Sequence, residues 1–299
     1  MKNWLIGLLA RWMTPRLRYI WHNPELWRDA QARGWHVTPV HFYHPIPDTG
    51  ALDDVYRSTT GMAGIDWREN EQLQLLRDIF PRYAEEFRRF NDSLLSAAPF
   101  AAQKPEFVGY DPYVYHCMIR HFQPSRIVEV GAGYSTVVAS HAARLNGDAN
   151  ITAIEPYPNA YLASIADKVQ VVRQMAQAVD LDFFRQLENR DILFIDSSHV
   201  VKTGSDVCYL VLEALPILQS GVLVHFHDIF LPYDYPRHWL TDRRVFWNEQ
   251  YLVQAWLAHN QRAKIRFANR FMAARHQDLL AKTFPHEERQ GGGSLWVQV

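Results

Sequence analysis

Neither sign of charge prevails in this chain: 31 Lys and Arg stand against 32 Asp and Glu across 299 residues, so no overall basic field marks it for nucleic acid. Cysteine is scarce. Cys117 and Cys208 both fall in apolar helical patterns and read as reduced core thiols of a cytoplasmic protein, not as a disulfide framework. No apolar run approaches the length of a membrane-spanning helix. The start, Met1 to Met13, has a short apolar core, Arg16 and Arg18 beyond it and no small-residue cleavage site, so a signal peptide is not expected. There is no internal repeat. The remaining composition, 48% hydrophobic and 21% charged, suits one large globular domain or one domain with a sizeable extension.

Residues 1–105 read as a mostly helical extension. Trp4, Leu5, Leu8, Leu9, Trp12 and Met13 fall on one helical face, with Lys2 and Arg11 elsewhere. The favoured reading is a helix docked on the body or on another subunit, which leaves a homo-oligomer open; the other is peripheral contact with a membrane. His36 to Asp48 is expected to be extended, because each Pro turns its predecessor away from the α region, and its aromatic residues should need burial or a ligand. His41, Tyr43 and His44 are minor candidates for lining a substrate. Asp66-Trp-Arg-Glu69 has capping-box spacing before a helical run from Leu73 to Phe90, which Pro81 should kink or split. Asp111-Pro112 predicts an N-cap followed by Pro at the first helical position.

The stretch Arg126-Ile-Val-Glu-Val-Gly-Ala-Gly-Tyr-Ser-Thr136 organises the rest. A short apolar strand turns through Gly131 and Gly133 into a helix whose free N–H groups and positive dipole end favour a ligand. A dinucleotide fingerprint wants a third glycine where Thr136 stands and an apolar residue where Glu129 stands. An acid at the strand mouth suits a cationic ligand instead. About twenty residues on, Ile151 to Glu155 supplies a second strand ending in an acid placed for ribose hydroxyls. Lys168 to Val172, Ile192 to Ile195 ending in Asp196, and Gly221 to Phe226 ending in His227-Asp228 continue an alternation of strands and helices. A helix from about Val245 to His259 follows. Lys264 to Ala268 and Ser294 to Val299 are two closing strands.

This pattern resembles the class I methyltransferases, which use S-adenosylmethionine; the acid-x-Gly-x-Gly motif is matched by Glu129, Gly131 and Gly133, and the second-strand acid by Glu155. The resemblance implies an α/β, Rossmann-like methyltransferase sheet over residues 106–299, mostly parallel with an antiparallel last strand. It also implies a cofactor site of Glu129, Gly131, Gly133, Ser135, Glu155 and Asp196. A nicotinamide dehydrogenase is disfavoured by Glu129 and Thr136. The remaining alternative is a non-catalytic S-adenosylmethionine-binding subunit held on a partner or membrane surface.

Asp196-Ser-Ser-His199 and His225-Phe-His-Asp228 suggest chemistry at two neighbouring strand ends, since carboxylates and imidazole together can hold a divalent cation. This arrangement resembles the metal-dependent O-methyltransferases of catechols and of sugars in glycosylated natural products. The resemblance implies Asp196, His227 and Asp228 as ligands for Mg or Mn, with His227 standing where an acid is more usual. His225, inside a strand, reads as a core histidine. The expected reaction is methyl transfer to a hydroxyl of a small-molecule or sugar acceptor, with His199 as base and Asp196 beside it. The loop Ile229 to Pro236, with Arg237, His238 and Trp239, is expected to cover the acceptor.

Overall fold

Apolar runs of three to five residues form one seven-stranded sheet: β1 (Arg126–Val130), β2 (Asn150–Ile154), β3 (Gln170–Val172), β4 (Ile192–Ile195), β5 (Leu223–Phe226), β6 (Lys264–Ala268) and β7 (Leu295–Gln298). The computed structural model describes residues 2–59, 61–96, 107–165, 167–285 and 291–299. Strand order is β3-β2-β1-β4-β5-β7-β6, with β7 antiparallel to both neighbours and the other pairings parallel. The fold is the Rossmann-like sheet with a helical N-terminus that the resemblance implied. Every residue of β4 and β5 is buried, as strands covered by helices on both faces must be.

Register places the site. Val130 lies opposite both Ile154 and Ile195, and Ile195 opposite Phe226, so β1, β2, β4 and β5 end level with one another. The next residues, Gly131, Glu155, Asp196 and His227, therefore emerge side by side. Backbone hydrogen bonds fix three of the steps: Gly131 N–H to Ile154 at 3.1 Å, Asp196 N–H to Val130 at 2.8 Å and His227 N–H to Ile195 at 2.9 Å. The order reverses between β1 and β4, which is where open α/β sheets leave a crevice at the carboxyl ends of their strands.

The chain divides into two compact units, Met1–Tyr56 with Arg237–Phe246, and Arg57–Pro236 with Trp247–Val299. The boundary expected at residues 105 and 106 lies outside the described residues. In the sheet-bearing unit, Phe80 is fully buried and meets Phe267 of β6 at 4.9 Å, so the helical run before residue 96 belongs to this core. Pro81 splits that run as expected, into Glu69–Gln74 with Leu75–Ile79 on one side and Ala84–Leu95 on the other. In the other unit, Lys2–Met13, Leu17–His22 and Pro24–Ala32 are helices, the last capped by the Asn23 side chain. His36 to Asp48 contains neither helix nor strand, but it is not extended throughout as expected, because the His44 N–H turns back to the His41 carbonyl at 2.9 Å. Of its aromatic residues, Phe42 and Tyr43 are exposed and pack on each other and on His41.

Two expected caps are corrected. Asp66 accepts the Arg68 N–H at 2.9 Å in a local turn, and the following helix starts after Arg68 in the left-handed region, so no capping box forms. Asp111 lies inside the helix Tyr110–Phe122, whose N-cap is Gly109. Its carboxylate reaches across the fold, accepting from Gly293 N–H at 2.9 Å, Ser294 N–H at 2.9 Å and Asn269 Nδ2 at 2.7 Å. It ties the entry to β7 to the helix Asn269–Thr283, which fills the connection between the last two strands. Asp111→Ala would leave these donors unpaired in the interior, so it is expected to lower stability by roughly 3 kcal/mol. Urea unfolding checks this; a loss below about 1 kcal/mol would show that the tie is dispensable.

Candidate active site

Gly131 carries φ +77°, and a Cβ there would stand 1.7 Å from the Asp196 carbonyl oxygen. The glycine thus lets the β1 loop cross the end of β4, which draws Asp196 up against the glycine turn. Gly131→Ala is expected to lower stability by roughly 3 kcal/mol or more, because both the φ angle and the backbone contact oppose a side chain. Thermal unfolding tests this, and an unchanged midpoint would contradict it.

The turn opens on a cleft of about 430 Å³ lined by Ala132, Gly133, Ser135, Glu155, Asn159 and Asp196 among others. That volume suits a small organic cofactor. Glu155 accepts the Ala132 N–H at 3.2 Å and the Tyr157 N–H at 2.7 Å, so the acid after β2 also holds the glycine turn in place. Asn159 and Tyr161, beyond β2, and Phe107 complete the wall and are residues the sequence pattern did not single out.

Glu129 does not reach this cleft. It is fully buried, accepting from Tyr115 Oη at 2.7 Å, from Thr136 Oγ1 and, at 3.5 Å, from Ser135 Oγ. Burial pushes its carboxyl up to about 7, against the opposing pull of the hydroxyls of Thr136 and Tyr115. Thr136 also accepts the Gly133 N–H at 3.1 Å. The residue where a dinucleotide fingerprint has its third glycine therefore links the strand acid to the glycine turn.

On the other side of Asp196 lie two imidazoles. His199 Nε2 is 3.2 Å from Asp196 Oδ1, and its Nδ1 is 2.8 Å from Glu249 Oε2. His227 Nδ1 is 3.4 Å from the same Asp196 oxygen and 3.6 Å from Asp228 Oδ2, while its Nε2 is 3.5 Å from Asp111 Oδ2. Burial disfavours a charged His199, yet the hydrogen bonds and charges of Asp196 and Glu249 outweigh it and push the ring up to about 10. His227 is raised by its carboxylate neighbours in the same way, against burial. Burial alone would raise Asp196, but the charge of His227 and hydrogen bonds from both rings hold it well below the usual carboxylate range. Asp228 and Glu249 are raised, chiefly by burial.

His199 and Asp228 both take positive φ, 58° and 54°, in loops that follow the strands. The His199 carbonyl accepts from the N–H groups of Asn248 and Glu249, at 3.1 and 3.2 Å, and Trp247 packs on its ring. Glu249 was missed in sequence because an acid in the first turn of an apolar helix ordinarily faces solvent and answers the helix dipole. His225 is a core histidine as read, stacked on Phe194 at 3.9 Å and bonded to Ser294 Oγ at 2.9 Å. The loop after Asp228 is packed inward: Ile229, Phe230, Leu231 and Tyr235 are buried, and Gln250 Oε1 accepts the Phe230 N–H.

The expected metal ligands Asp196, His227 and Asp228 are adjacent, but as arranged they do not fit a divalent cation. Among the described residues, no group of three or more His, Cys, Asp or Glu converges to hold a metal ion.

A family model described as a methyltransferase domain matches residues 128–229, the span from β1 to the loop after β5. The chain is 31% identical over 167 residues to an "Uncharacterized protein" of Archaeoglobus fulgidus, covering 52% of this chain and 75% of that one. An SAH-bound methyltransferase of Podospora anserina is similar at 17% identity over 63% of this chain and 82% of its own, with a TM-score of 0.35. The O-methyltransferase TomG of Streptomyces achromogenes, in complex with SAM and involved in tomaymycin synthesis, is 16% identical over 78% of this chain and 96% of its own, with a TM-score of 0.35. The chain belongs to the family whose methyltransferase domain this model describes. It is an enzyme of methyl transfer.

Proposed function

We propose that the enzyme methylates a hydroxyl group of a small-molecule or sugar acceptor. The observation that carries this reading is the position of Asp196, which lines the cofactor cleft with one side of its residue and meets His199 and His227 with its carboxylate. Bound S-adenosylmethionine supplies an electrophilic methyl group on a sulfonium. In this reading the glycine turn and Ser135 seat the cofactor, and Glu155 accepts from its ribose hydroxyls. Asp196 holds the cationic end of the cleft and orients His199. His199, in its neutral form, takes the proton of the acceptor hydroxyl at Nε2, and Glu249 at Nδ1 stabilises the imidazolium that results. The remaining acceleration comes from alignment of the acceptor oxygen with the methyl group.

No step in this scheme passes through a metal. Methyl transfer to a panel of hydroxylated sugars and phenols, run with chelator and then with added magnesium or manganese, tests both parts. Labelled O-methyl product at the same rate in each condition is the expected result. A saturable metal-dependent rate that Asp228→Ala abolishes would restore a metal-assisted mechanism, and transfer to nitrogen or carbon acceptors alone would overturn the hydroxyl reading.

A further inference from the structure

The sequence opens with a helix that its own unit does not bury. Trp4, Leu5, Ile6, Leu8, Leu9, Trp12 and Met13 are all exposed, Trp4 at 70% and Trp12 at 59%. At about 100° per residue these side chains fill an arc of roughly 200°, and Gly7, Ala10 and Arg11 lie outside it. Leu17 and Tyr19 continue the exposed apolar surface into the next helix. Contiguous apolar surface of this kind marks an interaction site.

Charge chooses the occupant. Lys2, Arg11, Arg16 and Arg18 precede the first acid of the chain, Glu25, so the segment is basic without any compensating carboxylate. The guanidinium of Arg16 lies 3.8 Å from the Trp12 ring centroid and that of Arg18 lies 5.2 Å from the Tyr19 ring, which sets cations against aromatic rings where the helix ends. Tryptophan and tyrosine beside arginine is the side-chain set that settles at a boundary between hydrocarbon and headgroups. Pairing with a second copy of the helix would instead bring like charges together across the seam. Among the described residues no helix is long and apolar enough to cross a membrane, so contact would lie in the plane of the surface.

We propose that Lys2–Met13, with the arginines that follow it, docks the enzyme on a bilayer rich in anionic headgroups, its apolar arc in the hydrocarbon boundary and its cations among the phosphates. The inference does not rest on the acceptor class proposed above. It is tested by co-sedimenting the full chain with vesicles of phosphatidylcholine alone and of phosphatidylcholine with phosphatidylglycerol. Two variants are carried beside it, Leu8→Glu with Leu9→Glu, and Arg11→Glu with Arg16→Glu. The expected result is binding to the anionic vesicles, weakened at least tenfold by raised salt and by either variant, while S-adenosylmethionine affinity and the circular dichroism spectrum stay unchanged. Equal binding to both vesicle types, or to neither, overturns the proposal. So does a self-associated species in light scattering that Leu8→Glu with Leu9→Glu dissolves when no vesicle binding is seen, since the arc would then serve a second copy of the chain.

Discussion

Glutamine in place of His199 is expected to lower the rate of methyl transfer by roughly 10²–10⁴-fold while leaving S-adenosylmethionine affinity unchanged. The ring sits between two carboxylates, Asp196 at 3.2 Å and Glu249 at 2.8 Å, and beyond the cofactor cleft instead of in its lining. Glutamine fills a similar volume and keeps an amide donor for one of the acids, but it cannot accept and hold a proton. The loss should therefore appear in kcat and not in cofactor binding. Steady-state rates with a labelled methyl donor and an acceptor that turns over give the result. A variant with wild-type kcat would remove His199 from the chemistry and leave alignment alone to account for transfer.

The rate of the wild-type enzyme should climb with pH well beyond neutrality. A base acts only when unprotonated, and His199 is pushed up to about 10 by Asp196 and Glu249 against its burial. Below that value the neutral fraction falls tenfold per pH unit, so the rate at pH 9 should exceed that at pH 7 by about a hundredfold if proton removal limits turnover. Glu249→Gln takes away one of the two carboxylates that raise the ring, so the rising limb should move to lower pH. A limb that stays in place would show that Glu249 does not tune His199. A profile flat between pH 7 and 9 would contradict the base role itself. Linkage fixes the accompanying change in stability. A histidine whose folded pKa lies above its unfolded 6.5 contributes stability that is complete below that value and is lost as pH rises through about 10. The enzyme should therefore become faster and, through this group, less stable over the same range.

Strands were the most legible part of the chain, because short apolar runs that end in glycine or an acid leave little freedom of assignment. β4 and β6 occupy the residues expected for them, and the antiparallel pairing of β6 with β7 follows the resemblance. Two strand starts shifted by two residues: the strand expected from Lys168 starts at Gln170, and the one expected from Gly221 starts at Leu223. Gly131, Glu155, Asp196 and His227 were readable as neighbours because parallel strands of similar length end level.

What sequence spacing could not convey was where a side chain is directed once the elements pack. Glu129 stands two places before the first glycine, yet it turns into the core toward Tyr115 and Thr136, residues on two separate helices. Asp111 looked like a local cap and instead bonds to residues more than 150 positions away. Glu249 reaches His199 across 50 positions. Each is a buried carboxylate whose partner is supplied by tertiary structure, and periodicity carries no record of such a partner.

The account turns on the cleft between the glycine turn and Glu155 as the seat of S-adenosylmethionine. Calorimetric titration of that cofactor into the full chain and into Glu155→Ala tests it most directly. One site per chain is predicted, weakened roughly 10–100-fold in the variant by the loss of charged hydrogen bonds. Equal affinity in both proteins, with the variant folded, would place the cofactor elsewhere and contradict the assignment of the cleft.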